Sequence, residues 1–187
     1  LALIMLAAGN SRRFGSNKLM YEVEGNTMYL RTLRQLQKAA AKMQNSRIVV
    51  VTQEKYAEII DAAKEIGAEV LINPQPERGI SSSMQIGLEI AKDADACLFT
   101  VSDQPWLTAE TIIALHDAFQ SENKGMACTV WGEKTGNPCI FSEKYYKELM
   151  AISGDKGGKQ IIKKHPEDVT YLKISDEREL QDVDVPL

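Results

Sequence analysis

Short apolar runs alternate along this chain with longer segments whose apolar residues recur every three or four positions. The runs fall at 1–6, Arg47–Thr52, 69–73, Ala96–Val101 and Met126–Trp131. Several are apolar at consecutive positions, the pattern of a strand covered on both faces. Between them, 27–41 places Tyr29, Leu33, Leu36 and Ala40 on one helical stripe. Segment 55–66 stops at Gly67, a residue suited to the left-handed turn that ends a helix. Segments 81–91 and Ala109–Ser121 complete the set, with Thr108 placed to cap the second. Strand–helix–strand alternation of this kind predicts a three-layer α/β/α architecture around a mostly parallel sheet.

From about Gly132 the rhythm loosens. Short strands near 139–141 and 169–174 flank helical segments at 142–152 and 159–165. No repeat, low-complexity tract or linker interrupts the order. A single domain over 1–187 is therefore expected, long enough to bury a substantial core.

Charge and cysteine content narrow the function classes. The formal net charge is −4, from 26 acidic and 22 basic side chains. Non-specific nucleic-acid binding needs a basic excess to displace counterions, so no nucleic-acid partner is expected. Cys97, Cys128 and Cys139 are odd in number and widely spaced, and only His116 and His165 could join them. That set makes neither a disulfide framework nor a zinc site, and it fits a reduced, cytoplasmic protein. Residues 1–6 are too short to span a bilayer and lack the flanks of a signal peptide, so no membrane association is expected.

The first run leads directly into Leu6-Ala7-Ala8-Gly9-Asn10-Ser11-Arg12-Arg13-Phe14-Gly15-Ser16-Asn17-Lys18. Small residues let backbone N–H groups approach an anion, and Arg12, Arg13 and Lys18 supply three positive charges. Ligands of open α/β sheets bind beyond the carboxyl ends of strands, which is where this loop lies. The spacing excludes the GxxxxGK[ST] and GxGxxG phosphate loops. A solvated basic turn is the competing reading.

A second chemical candidate follows 96–101, in Ser102-Asp103-Gln104-Pro105. A carboxylate just past a buried strand shares the crevice of the first loop, and magnesium is usually held by one or two carboxylates plus substrate phosphates. An aspartate before a turn proline is also a common turn former. Near the C-terminus, Asp182-Val183-Asp184-Val185-Pro186 offers two more carboxylates, or an acidic surface tail. Gly79-Ile80-Ser81-Ser82-Ser83-Met84 reads as a turn and a serine-capped helix. One serine suffices for a cap; three hydroxyls also suit a base edge, ribose or phosphate.

Together these segments carry a specific resemblance. LAAGxSxRxGxxK after an N-terminal strand is similar to the signature loop of the MobA-like nucleotidyltransferases, and most resembles the molybdenum cofactor cytidylyltransferases. SDQPWLT resembles that family's DQPxxT, and Asp182–Pro186 its DxDxP. Gly79 to Gly87 resembles its G-[MI]-x-x-S-[LM]-x-x-G element. Gly136 to Phe141 resembles its GxPxxF strand, and Gly154 to Lys159 its GDxG turn.

The resemblance implies a Rossmann-like nucleotidyltransferase fold, with residues 1–105 as a nucleotide-binding half and 106–187 as an acceptor-binding half. It further implies that Arg13 and Lys18 neutralise a triphosphate and that Asp103 binds Mg2+, joined by Asp182 or Asp184. Leu6, Ala7, Ala8, Gly9, Ser11, Arg12, Gly15, Gly79, Ser81, Ser82 and Ser83 would contact the nucleotide. Gln104, Pro138, Gly154, Asp155 and Gly157 would contact the acceptor. The guanylyltransferase branch reads LAGG where this chain has Ala8, which leans the choice towards CTP over GTP. Molybdopterin or the molybdenum cofactor would accept CMP, with a molybdenum hydroxylase as client. Two rival readings remain: another nucleotidyltransferase using GTP or a sugar phosphate, and a non-catalytic accessory protein that binds the cofactor.

Overall fold

The computed structural model describes residues 1–9 and 17–184. Its strands are β1 (Ala2–Ala7), β2 (Glu22–Val23), β3 (Asn26–Thr27), β4 (Arg47–Thr52), β5 (Glu69–Ile72), β6 (Ala96–Val101), β7 (Met126–Trp131), β8 (Lys134–Ser142) and β9 (Val169–Lys173). Among the described residues, seven of them form one sheet in the order β5-β4-β1-β6-β8-β7-β9, while β2 and β3 make a small separate hairpin. Only β8 runs against the rest, antiparallel to both β6 and β7. The chain builds outward from β1 to β4 and β5, then returns across β1 to start β6. That reversal opens a crevice beyond the carboxyl ends of β1 and β6.

Side-chain alternation along β1 makes the three layers. Leu3, Met5 and Ala7 face one core with α1 (Met28–Ala40), α2 (Ala57–Glu65) and α4 (Ala109–Ser121). Ala2, Ile4 and Leu6 face the other, with α3 (Ile80–Ala91), α5 (Tyr146–Met150) and α6 (Lys159–Lys164). Both surfaces of the strand are covered, which is why its sequence is apolar at every position. Burying each Leu or Ile of such a core contributes about 1.5–3 kcal/mol. Helix α3 seats close on β1 because Gly87 has no side chain: a Cβ there would lie 2.8 Å from Ile4 Cγ2. Thr108 caps α4 as expected, its hydroxyl accepting from Thr111 N at 3.2 Å.

Two expectations are corrected. The short strand at 139–141 is the nine-residue β8, which begins at Lys134 and pairs with β7 through a turn at Gly132, where φ is +57°. The helix expected over 142–152 is a 3-10 turn, Glu143–Tyr145, followed by the five-residue α5. Adjacent tyrosines are anchored in different places there: Tyr145 OH donates to Asp168 and Tyr146 OH to the carbonyl of Ala94.

Candidate functional site

Strands β1 and β6 are hydrogen-bonded neighbours, so the loops that follow them leave the sheet side by side. The exit of the first loop is held by four side chains acting on four successive carbonyl oxygens. Ser102 Oγ donates to Leu6 O at 3.0 Å, and Thr52 Oγ1 to Ala7 O at 3.0 Å. Gln53 Nε2 donates to Ala8 O at 2.8 Å, and Tyr56 OH to Gly9 O at 2.9 Å. Residues at the ends of β4 and β6 thereby fix the path of the chain into the basic loop. Ser11, Arg12, Arg13 and Gly15 lie outside the described residues.

Lys18 opens a 3-10 turn, Lys18–Met20, whose start is capped by Asn17 Oδ1 accepting from Leu19 N at 3.1 Å. Its Nζ donates to Asp103 Oδ2 at 2.6 Å and to Asp184 Oδ1 at 3.1 Å. The lysine side chain is 14% exposed and Asp103 21%. Burial works to lower the Lys18 pKa, but the Asp103 carboxylate beside it, helped by Asp184, outweighs burial and raises it. Asp184 reaches the site because Val183 N donates to Asp103 O at 3.0 Å, clipping the C-terminal segment to the loop after β6. On the other side of Val183, Asp182 Oδ1 accepts from Gln104 Nε2 at 2.7 Å. Partial burial in the cleft wall pushes the Asp182 carboxyl up, and the like charge of Asp103 adds to the effect.

These donors fit a hard divalent cation. Oxygens of Asp103 and Asp184 already converge on one positive charge, the Lys18 ammonium, and Asp182 sits close enough to Asp103 to feel its charge. Among the described residues no group of three His, Cys, Asp or Glu side chains forms a complete metal site. Two carboxylates completed by phosphate oxygens and water is the arrangement magnesium commonly takes.

A cleft of about 310 Å³ opens beside Asp103. Leu6, Asp103, Asp155, Gly157 and Asp182, all candidates from sequence, line it. Asn137, Cys139 and Lys159 also line it; they fall in the segments Gly136 to Phe141 and Gly154 to Lys159, but sequence reasoning did not name them as site residues. Pro138 is buried between two of those lining residues and follows a cis peptide bond.

Gly79 and Gly154 form a close crossing: a Cβ on Gly79 would lie 2.5 Å from the Gly154 carbonyl carbon, and Ser81 N donates to Gly154 O at 3.2 Å. The three serines are buried and do not line the cleft. Asn73 Nδ2 donates to Ser82 Oγ and Ser83 Oγ, each at 2.9 Å, and Ser82 Oγ donates to Gly79 O at 2.8 Å. In this arrangement those two hydroxyls tie the end of β5 to the start of α3. Gln104 is likewise buried, with its amide directed at Asp182. The cysteines are free and buried; burial pushes the thiols of Cys97 and Cys128 up to about 11. Among the described residues no helix is long and apolar enough to cross a membrane.

A mostly parallel sheet whose strand order reverses at β1/β6, with a cation and carboxylates paired at the reversal, is an α/β architecture with a ligand-binding crevice at its strand ends. The chain belongs to the MobA-like NTP transferase domain family, which residues 3–169 match. It is a nucleotidyltransferase of that type. The purine catabolism protein PucB of Bacillus subtilis is 27% identical over 98% of this chain and 91% of its own length. A probable molybdenum cofactor guanylyltransferase of Pyrococcus horikoshii is 26% identical, covering 83% of this chain and 74% of that one. Among solved structures, Rv0371c of Mycobacterium tuberculosis superposes with a TM-score of 0.83 at 22% identity, covering 99% and 93% of the two chains. The manganese complex of that protein superposes at 0.77 and 19% identity over 100% of this chain and 90% of that one. These superpositions show the fold.

Proposed function

We propose that the protein transfers CMP from CTP to the terminal phosphate of molybdopterin or the molybdenum cofactor, releasing pyrophosphate. The observation that carries this reading is Lys18 bridging Asp103 and Asp184 beyond the adjacent ends of β1 and β6. In this reading Arg13 and Lys18 neutralise the triphosphate, with Ala8 and Gly9 shaping the loop that holds it. Asp103 with Asp184 or Asp182 holds Mg2+, as the donor set and the manganese complex of the Mycobacterium tuberculosis protein support. When bound, the metal supplies charge stabilisation at the phosphates. A terminal phosphate monoester is largely dianionic at neutral pH, its second pKa being about 6, so no general base is needed. The protein's own contribution is to hold two anions together and offset the charge that develops between them.

Residues 1–105 supply the nucleotide side in this reading, and 106–187 the acceptor side. A molybdenum hydroxylase is the proposed client, a class that fits a relative named for purine catabolism. The relatives named as guanylyltransferases support GTP as the alternative donor. Pyrophosphate release with Mg2+, molybdopterin and either CTP or GTP tests both. CTP-dependent release that is lost in Asp103→Asn while the fold is retained supports the proposal. Release with neither nucleotide rejects it, and release with GTP alone reassigns the donor.

A further inference from the structure

Among the described residues lining the cleft, one cation plays no part in the reading above. Lys159 opens α6 directly after Gly157 and Gly158 and lines the same cleft as Asp103. Gly158 sets its position: a Cβ there would lie 2.5 Å from Phe141 Cζ, so a residue without a side chain lets the turn press onto the sheet. The helix therefore starts against the floor of the cleft, at β8. Lys159 shares the lining of this cleft with Asp182 and Cys139, and its charge is felt by the Asp182 carboxyl. Unlike Lys18, it forms no ion pair among the described residues. The same cleft carries Asp103, Asp155 and Asp182. A phosphate dianion entering there meets three carboxylates, and a divalent ion on Asp103 leaves Asp155 unopposed.

We propose that Lys159 is the acceptor-side cation: it holds the phosphate monoester of the acceptor in the cleft and selects phosphorylated over unphosphorylated acceptors. The inference rests on the reaction proposed above. An acceptor phosphate oxygen forms the new bond to the α-phosphorus, the bond from that phosphorus to the β-bridging oxygen breaks, and its electron pair leaves with pyrophosphate. Lys159 keeps its proton throughout. Charge is thus divided between two lysines, Lys18 for the departing polyphosphate and Lys159 for the incoming monoester.

Steady-state kinetics of Lys159→Gln and Lys159→Arg, with molybdopterin and CTP or GTP varied separately, test the assignment. Lys159→Gln is expected to raise the molybdopterin KM by about tenfold to a hundredfold while the nucleotide KM stays within about twofold, and Lys159→Arg to recover most of the loss. An unchanged molybdopterin KM, or an equal rise in both KM values, overturns it. A second arm follows the resonances of 13C-dimethylated lysines in the wild type as inorganic phosphate is added. The signal missing from Lys159→Arg should shift saturably. If the wild type releases no pyrophosphate with either nucleotide, the proposed reaction falls and this arm alone decides: a saturable shift sustains the phosphate role of Lys159, and no shift ends it.

Discussion

Lys18 Nζ lies 2.6 Å from Asp103 Oδ2, joining residues 85 positions apart across the ends of two adjacent parallel strands. The same nitrogen reaches Asp184 at 3.1 Å, so one ammonium occupies the oxygens that a divalent ion would use. On the proposed reading, lysine and metal compete for this carboxylate pair. Lys18→Met is expected to tighten Mn2+ binding in the absence of nucleotide by about tenfold, because two carboxylates lose their neutralising partner. Pyrophosphate release should fall by about a hundredfold or more in the same variant. Calorimetric titration with Mn2+ checks the first effect; weaker metal binding in the variant would contradict the competition.

The row of side chains under the first loop makes a separate prediction. Tyr56→Phe removes the hydroxyl that donates to Gly9 O and leaves the ring packed. The loop path loosens while the core is kept. Nucleotide KM should rise about two- to tenfold, the worth of one hydrogen bond, with the acceptor KM unchanged. A melting temperature equal to that of the wild type, together with the KM change, separates loop placement from general destabilisation.

Gly79 is constrained twice. Its φ of +89° disfavours any L side chain, and an added Cβ would overlap the backbone of Gly154. Gly79→Ala is expected to destabilise the protein by about 2 kcal/mol or more, lowering the melting temperature by about 4–8 °C. Differential scanning calorimetry decides the matter; an unshifted transition would mean the crossing of the two loops can relax freely.

Acid stability turns on Asp168. Hydrogen bonds from Lys144 and Tyr145, with a smaller one from Gly125 N, hold its carboxyl down at about 2, below the ordinary aspartate value. A group lowered in the folded state contributes stability above its unfolded pKa and loses it as pH falls through the folded value. Asp168→Asn should therefore be less stable by about 1–2 kcal/mol near neutrality, with allowance for its partly exposed position. The deficit should shrink between about pH 4 and pH 2. Urea unfolding at several pH values measures it, and a deficit that does not vary with pH would remove the charge from the explanation.

Most of the sheet was legible because its strands are apolar on consecutive residues, as in β1 and β6, where helices cover both sides. The meeting of Lys18 and Asp103 was legible too: both follow strands of a doubly wound sheet, and topology brings such loops together. What escaped depends on tertiary contact. Nothing local says that the donors of Thr52, Gln53 and Tyr56 point at carbonyls 45 to 47 residues away. The first part of β8 escaped the apolar pattern, since Lys134, Thr135, Gly136, Asn137 and Pro138 carry no apolar run. Its register slips against β7 between Cys128 and Thr129, and in that setting those residues are accommodated. The bonds from Asn73 to two hydroxyls of the serine run were not legible either, because Asn73 lies at the end of a different element.

The backbone link from Val183 to Asp103 has a bearing on biosynthesis. Translation delivers β1 and β6 long before it delivers Asp184, so a ribosome-bound chain can pair those strands while still lacking one of the two carboxylates that face Lys18. Asp103 and Asp184 can face Lys18 together only once the residues between them have been made, whatever the timing of the rest.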